Sequence, residues 1–179
     1  MELSEFLLET QAEVRAQMSD GSPFAEMVFS EVVMQHMAEI GMTFEPVVCH
    51  FTGKVGNAVL RLSGYAMSDE ADQLDLFVSL YEGVDELTPV PDADTKMAVE
   101  QCIRFLSLCA EGKMAPKLDP SDEVLSLALT IQEIYNGLEQ VRVFVLTDKV
   151  AKAKSFKTRE IAGKSVRLEV MDIERLFRH

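Results

Sequence analysis

Six carboxylates are candidates for sharing a divalent cation: Glu26 and Glu31 in an apolar helical stretch, then Asp69, Glu70, Asp72 and Asp75 around an acidic turn (SDEAD) and the strand after it. Two or three carboxylate oxygens converging on Mg²⁺ would let the metal activate a water and stabilise charge on a phosphodiester, with a lysine to assist. Asp69, Asp72 and Asp75 are the natural set for such a site. A metal-dependent nuclease with such a ribbon also carries an acid and a lysine separated by one residue, late in its second strand. Ser79-Leu80-Tyr81 stands there instead and offers neither a metal ligand nor a cation. The ribbon therefore has the layout of a nuclease site without its chemistry. Mg²⁺-dependent cleavage through Asp69, Asp72 and Asp75 is the alternative, and a solvated hairpin tip explains the acids without any metal.

Other patterns lead to no reaction. Cys49-His50 pairs a nucleophile with a base in sequence, but adjacent strand residues point to opposite faces. Ser63-Gly64 lacks the glycines of a nucleophile elbow. Ala162-Gly163-Lys164-Ser165 resembles the end of a phosphate loop, yet it leads into a strand, whereas a phosphate loop opens a helix. Cys49, Cys102 and Cys109 have no CxxC spacing and suit buried thiols in a reducing compartment.

Charge is divided unevenly. Residues 1–140 hold 7 Lys/Arg against 25 Asp/Glu, and residues 141–179 hold 10 against 5, for a total of −13. An acidic body repels nucleic-acid phosphates, so affinity for DNA or RNA would come from the basic segment with Lys149, Lys152, Lys154, Lys157, Arg159 and Lys164. Phe156, within it, could stack on a base. A solvated loop, or one docked on an acidic neighbour, is the competing account. The amphipathic, acidic N-terminus and the lack of any apolar run near ~18 residues predict a cytoplasmic protein without membrane contact.

The elements that must position these residues follow from periodicity. An amphipathic helix is predicted over 3–18, and a second starts at Ser22-Pro23 and runs to Gly41 with apolar residues nearly all round, which places it centrally. Strands follow at Val47–Thr52, Ala58–Met67 and Leu74–Tyr81. In the third, Leu74, Leu76, Val78 and Leu80 form a core face, while Asp75, Phe77, Ser79 and Tyr81 form a face expected to be partly covered. Helices capped at Asp94 or Thr95 and opened by Asp119-Pro120 lead to strands Val141–Thr147 and Ser165–Met171, with Asp148–Lys164 as a loop between them. A short helix, Asp172–His179, closes the chain. The order ααβββααββα predicts one α/β domain over 1–179, a mixed sheet of about five strands flanked by helices.

The segments LRLSGYAMSDEADQLDLFVSLYEG, TKMAVEQCIRFLSLC, SDEVLSLALTIQEIYNGLEQVRVFVLTD and GKSVRLEVMDIERLFR, in that order, resemble the N-terminal region of the AIPR (abortive infection, phage resistance) family of bacterial proteins. The resemblance covers nearly the whole chain. It implies a restriction-endonuclease-like core of the PD-(D/E)xK type, a place in phage defence, and a longer parent chain of which these residues are the first part. The family's hairpin commonly ends in an Asp-aromatic pair where Leu80-Tyr81 stands here, so the resemblance carries no catalytic residue over. The function expected is a non-catalytic recognition or assembly module, partnered by the rest of its own chain, a second copy or a phage component, and needing no cofactor.

Overall fold

The computed structural model describes residues 1–18 and 25–179, so the helix start expected at Ser22-Pro23 lies outside the described residues. Helices α1 (Leu3–Gln17) and α2 (Ala25–Glu39) precede a meander of β1 (Pro46–Val55), β2 (Ala58–Met67) and β3 (Gln73–Leu80). A short β4 (Pro89–Val90) leads into α3 (Asp92–Ala110) and α4 (Val124–Ile134). Then come β5 (Gln140–Thr147), β6 (Val150–Ala151), β7 (Ser155–Ile161), β8 (Lys164–Met171) and α5 (Ile173–Arg178). The main sheet has six strands in the order β1-β2-β3-β5-β8-β7, and β4 and β6 form a small parallel pair. Neighbours are antiparallel across β1-β2-β3 and β8-β7, and parallel across β3-β5-β8.

The α/β class and the mixed, helix-flanked sheet agree with expectation; the sixth strand is a correction. The stretch 148–164, expected as a loop, contains β6 and β7. Strand β7 (SFKTREI) is hard to recognise because an edge strand is exposed and uses charged side chains to deter unwanted pairing. Its burial pattern lacks alternation because its register with β8 shifts between Phe156 and Arg159. That irregularity changes the parity, so Phe156 and Ile161, five residues apart, both pack against the α3 side. Ala162 and Gly163 turn the hairpin with φ of 48° and 84°, the paired positive values of a two-residue type I′ turn. The glycine-lysine-serine sequence is thus a hairpin corner leading into β8.

A second correction concerns β3. The face expected to be partly covered is closed at three of its four residues, with Asp75 1 % exposed and Phe77 and Ser79 0 %, while Tyr81 at its end is half-buried. Each sheet face has its own core. On one, Leu74, Leu76 and Val78 pack with Val141, Val143 and Val145 beneath α3 and α4. The α3 stripe expected from periodicity, Ala98, Cys102, Phe105 and Cys109, is buried there. On the other face, Phe77 stacks on Phe144 at 5.6 Å beneath Phe29, Val33, Met34 and Met37 of α2, with α1 and α5 alongside. The burial expected of α2 is largely observed, while Glu31, Gln35 and Glu39 keep an exposed strip.

Close approach of α2 to the sheet depends on Gly64. A β-carbon there would lie 2.7 Å from the Met34 sulfur and 2.8 Å from the Val47 carbonyl oxygen. The sulfur sits on a pliable side chain, but the carbonyl is fixed in the β1-β2 ladder. Gly64→Ala is expected to lower stability by about 1–3 kcal/mol through overpacking, measured by urea denaturation. An unchanged midpoint would show that the strands can separate locally at no cost.

Candidate functional site

Strands β3 and β5 run in parallel with Asp75 opposite Arg142, Phe77 opposite Phe144 and Ser79 opposite Leu146, which fixes what lies beneath α2. Arg142 donates from Nε to Asp75 Oδ1 and from Nη2 to Oδ2, both at 2.8 Å. Thr43 Oγ1 donates to Oδ2 at 2.6 Å, and Arg142 also donates to the Met42 carbonyl at 3.1 Å. The two-pronged geometry of this pair is the strongest a carboxylate and a guanidinium can form. It locks both Asp75 oxygens into a bond between the middle strands and the β1 entry.

Four residues further along the same face stands Ser79, where an acid would be needed for the metal chemistry considered above. Its hydroxyl lies 2.6 Å from that of Ser30 on α2, and its amide donates to Ser63 Oγ at 2.9 Å. Its carbonyl accepts from Arg61 at 2.6 Å, and Arg61 reaches Glu26 at 3.4 Å. Arg61 thus places a cation near Ser79, aimed at a peptide oxygen and at Glu26. Tyr81 stacks on Phe29 at 4.6 Å and donates its hydroxyl to Gln11 Oε1 at 2.6 Å. Burial and the nearby Asp148 charge push the Tyr81 pKa above its usual value.

Asp148, fully buried at the C-terminal end of β5, gathers the strand ends. Its Oδ1 accepts from the Glu82 amide at 3.1 Å. Its Oδ2 accepts from Gly83 at 2.8 Å, Val84 at 3.0 Å and Gln11 Nε2 at 2.9 Å. Three peptide N–H groups satisfy the carboxylate, and among the described residues no cation is paired with it. Asp172 has a similar role one strand over, capping α5 through the Arg175 amide at 2.8 Å and accepting from the Ala151 amide at 2.7 Å and from Lys154.

The remaining acids do not join Asp75. Glu31 lies on α2 in a cleft of about 340 Å³ with Glu13, Glu39 and His36. Asp69 and Glu70 are exposed at the hairpin tip, where Ala71 has φ 56°. Asp72 accepts from Ser68 Oγ at 2.6 Å. Among the described residues no group of three or more His, Cys, Asp or Glu side chains is placed to hold a metal ion. With Asp75 engaged by Arg142 and Thr43, the arrangement of Asp69, Asp72 and Asp75 does not fit a shared divalent cation. Cys49 is buried while His50 beside it is exposed, which separates them as alternation requires. Burial pushes the thiol pKa up to about 11 at Cys49 and about 12 at Cys102, away from the nucleophilic thiolate.

The six basic residues separate into two kinds. Lys149 pairs with Glu82 at 2.8 Å, Arg159 with Glu100 at 2.9 Å, and Lys154 with Asp172 and Glu174. Partial burial works to lower the Lys154 pKa, but its two carboxylate partners outweigh burial and hold it above the usual lysine value. Lys152, Lys157 and Lys164 have no carboxylate partner among the described residues. Arg61, Ser30, Ser63, Gln11, Thr43, Arg142 and Asp148 were not singled out as site residues. A lone arginine in the apolar run VRVFVLT was the one available signal, since a cation there needs a buried partner.

A family model described as "Abortive infection phage resistance protein N-terminal domain" matches residues 29–178. The chain belongs to this family. Its matched region runs from α2 through α5 and so includes the Asp75–Arg142 pair, the Ser79 network and Asp148. The family ties this domain to phage resistance by abortive infection. No curated protein and no solved structure gives a significant match. No helix among the described residues is long and apolar enough to cross a membrane.

Proposed function

We propose that this AIPR N-terminal domain is a nuclease-like recognition or assembly module that acts by binding and not by cleavage. One observation carries the reading: the Asp75 carboxylate is held in a two-pronged bond by Arg142, so the acid best placed on the ribbon acts as a structural bolt. Ser79, bonded to Ser30, adds a second closed position. The antiparallel meander joined to parallel strands, with helices on both faces, is compatible with a degenerate restriction-endonuclease-like core. Its partners would be the rest of a longer chain, a second copy or a phage component, in a cytoplasmic setting.

The test is incubation of the purified chain with labelled DNA and RNA in Mg²⁺ or Mn²⁺, alongside an Asp69→Asn/Asp72→Asn variant. Asp69 is exposed and Asp72 half-buried, and asparagine at 72 keeps an oxygen for the Ser68 hydroxyl, so the variant is expected to keep the fold. Equal, background cleavage by both proteins is the expected result. Metal-dependent cleavage that disappears in the variant would overturn the proposal.

A further inference from the structure

We infer that the groove between α3 and β7 is a docking site for an extended acidic peptide segment that joins the free edge of β7; this rests on the recognition reading above and gives it a surface. Three features meet there. Strand β7 is the last in the sheet order, so among the described residues its outer edge pairs with no strand. Beside it lies a cavity of about 460 Å³ with Val99, Phe156 and Leu168 as apolar lining. Around that lining stand Lys96, Lys157 and Arg159, with Glu100 as the one acid, and Glu100 is bound to Arg159. A positive rim is conspicuous on a chain of net charge −13.

The edge sets the shape of the occupant and the rim its charge. Added strands bind through main-chain hydrogen bonds and are selected by alternate side chains. Residues facing the groove should therefore read acid, apolar, acid at every second position, with the apolar side chain on Phe156 and the carboxylates at Lys96 and Lys157. Cationic edges repel one another, so a second copy of β7 is disfavoured as the partner. A nucleic acid would leave the strand edge unused.

The probe is a fluorescein-labelled Glu-Thr-Val-Thr-Glu-Thr-Val peptide, titrated with the intact chain by fluorescence anisotropy. A peptide with lysine for glutamate and a single-stranded DNA heptamer serve as controls. The acidic peptide should bind at least about tenfold tighter than either, and more weakly as salt rises. Lys96→Glu/Lys157→Glu should weaken binding about tenfold or more, whereas Lys152→Glu, outside the groove, should not. All three side chains are exposed, and matching circular dichroism would verify the fold. No binding up to about 1 mM protein, binding insensitive to the groove reversals, or tighter DNA binding lost on those reversals would each overturn the assignment. Cleavage plays no part in this readout, so a nuclease result would remove the recognition reading and leave the groove to be judged separately.

Discussion

Replacing Arg142 with alanine should destabilise the domain by about 3–5 kcal/mol, because the Asp75 carboxylate would remain 1 % exposed with its bidentate partner gone. Thr43 could still donate one hydrogen bond, which does not neutralise a charge between two sheet cores. For a domain of this length the loss corresponds to a fall in Tm of about 6–20 °C. The informative companion is Asp75→Leu/Arg142→Met, which removes both charges and keeps the volume. Buried ion pairs replaced by apolar residues are often neutral in stability, so the double variant should recover most of the loss. Urea denaturation of both proteins checks this. Equal destabilisation in the two would mean that the cost lies in packing, as would happen if the Arg142 contact with the Phe144 ring, 5.1 Å away, dominated.

Asp148→Ala comes next in size. It leaves the amides of Glu82, Gly83 and Val84 without their acceptor in a part-buried loop, and Gln11 without one of its two. Unsatisfied donors cost about 1–3 kcal/mol each where water cannot replace the acceptor, and partial solvent access here brings the expected total to about 3–4 kcal/mol. Asp148→Asn keeps one acceptor oxygen and should cost about half of that. It also removes a charge that helps raise the Tyr81 pKa, so the tyrosine titration followed in the ultraviolet should shift downward in pH. Burial raises Tyr65 and Tyr135 as well, Tyr135 to about 12. A raised folded value means that the unfolded chain loses these protons first. Stability from the tyrosines is therefore complete below pH 10 and falls as pH climbs through the folded values. An unmoved tyrosine titration in Asp148→Asn would show that the carboxylate does not reach Tyr81 electrostatically.

The strands of the meander and the α3 stripe were legible because burial on one face imposes a period on the sequence. Where the period misled, a polar residue was buried with a partner far along the chain. Asp75 and Ser79 suggested a half-open face, yet one meets Arg142, 67 residues away, and the other Ser30, 49 away. The first pairing depends on the register between β3 and β5 and the second on how α2 packs on the sheet, and no local pattern encodes either. Strand β7 was hidden for the opposite reason: its exposure demands the charges that elsewhere mark a loop. That positions 79 and 81 hold neither an acid nor a lysine was legible directly, since residue identity needs no geometry. What the serine and tyrosine do instead, closing the site with hydrogen bonds to α2 and α1, required the fold.

The central claim is that the acids of the ribbon do not assemble a metal site, Asp75 serving as a structural bolt to Arg142. Isothermal titration of Mg²⁺ and Mn²⁺ into the purified chain tests it most directly. No saturable heat, with the same trace for Asp69→Asn/Asp72→Asn, is the predicted result. Stoichiometric binding that is lost in that variant would contradict the account and make the SDEAD hairpin a metal site.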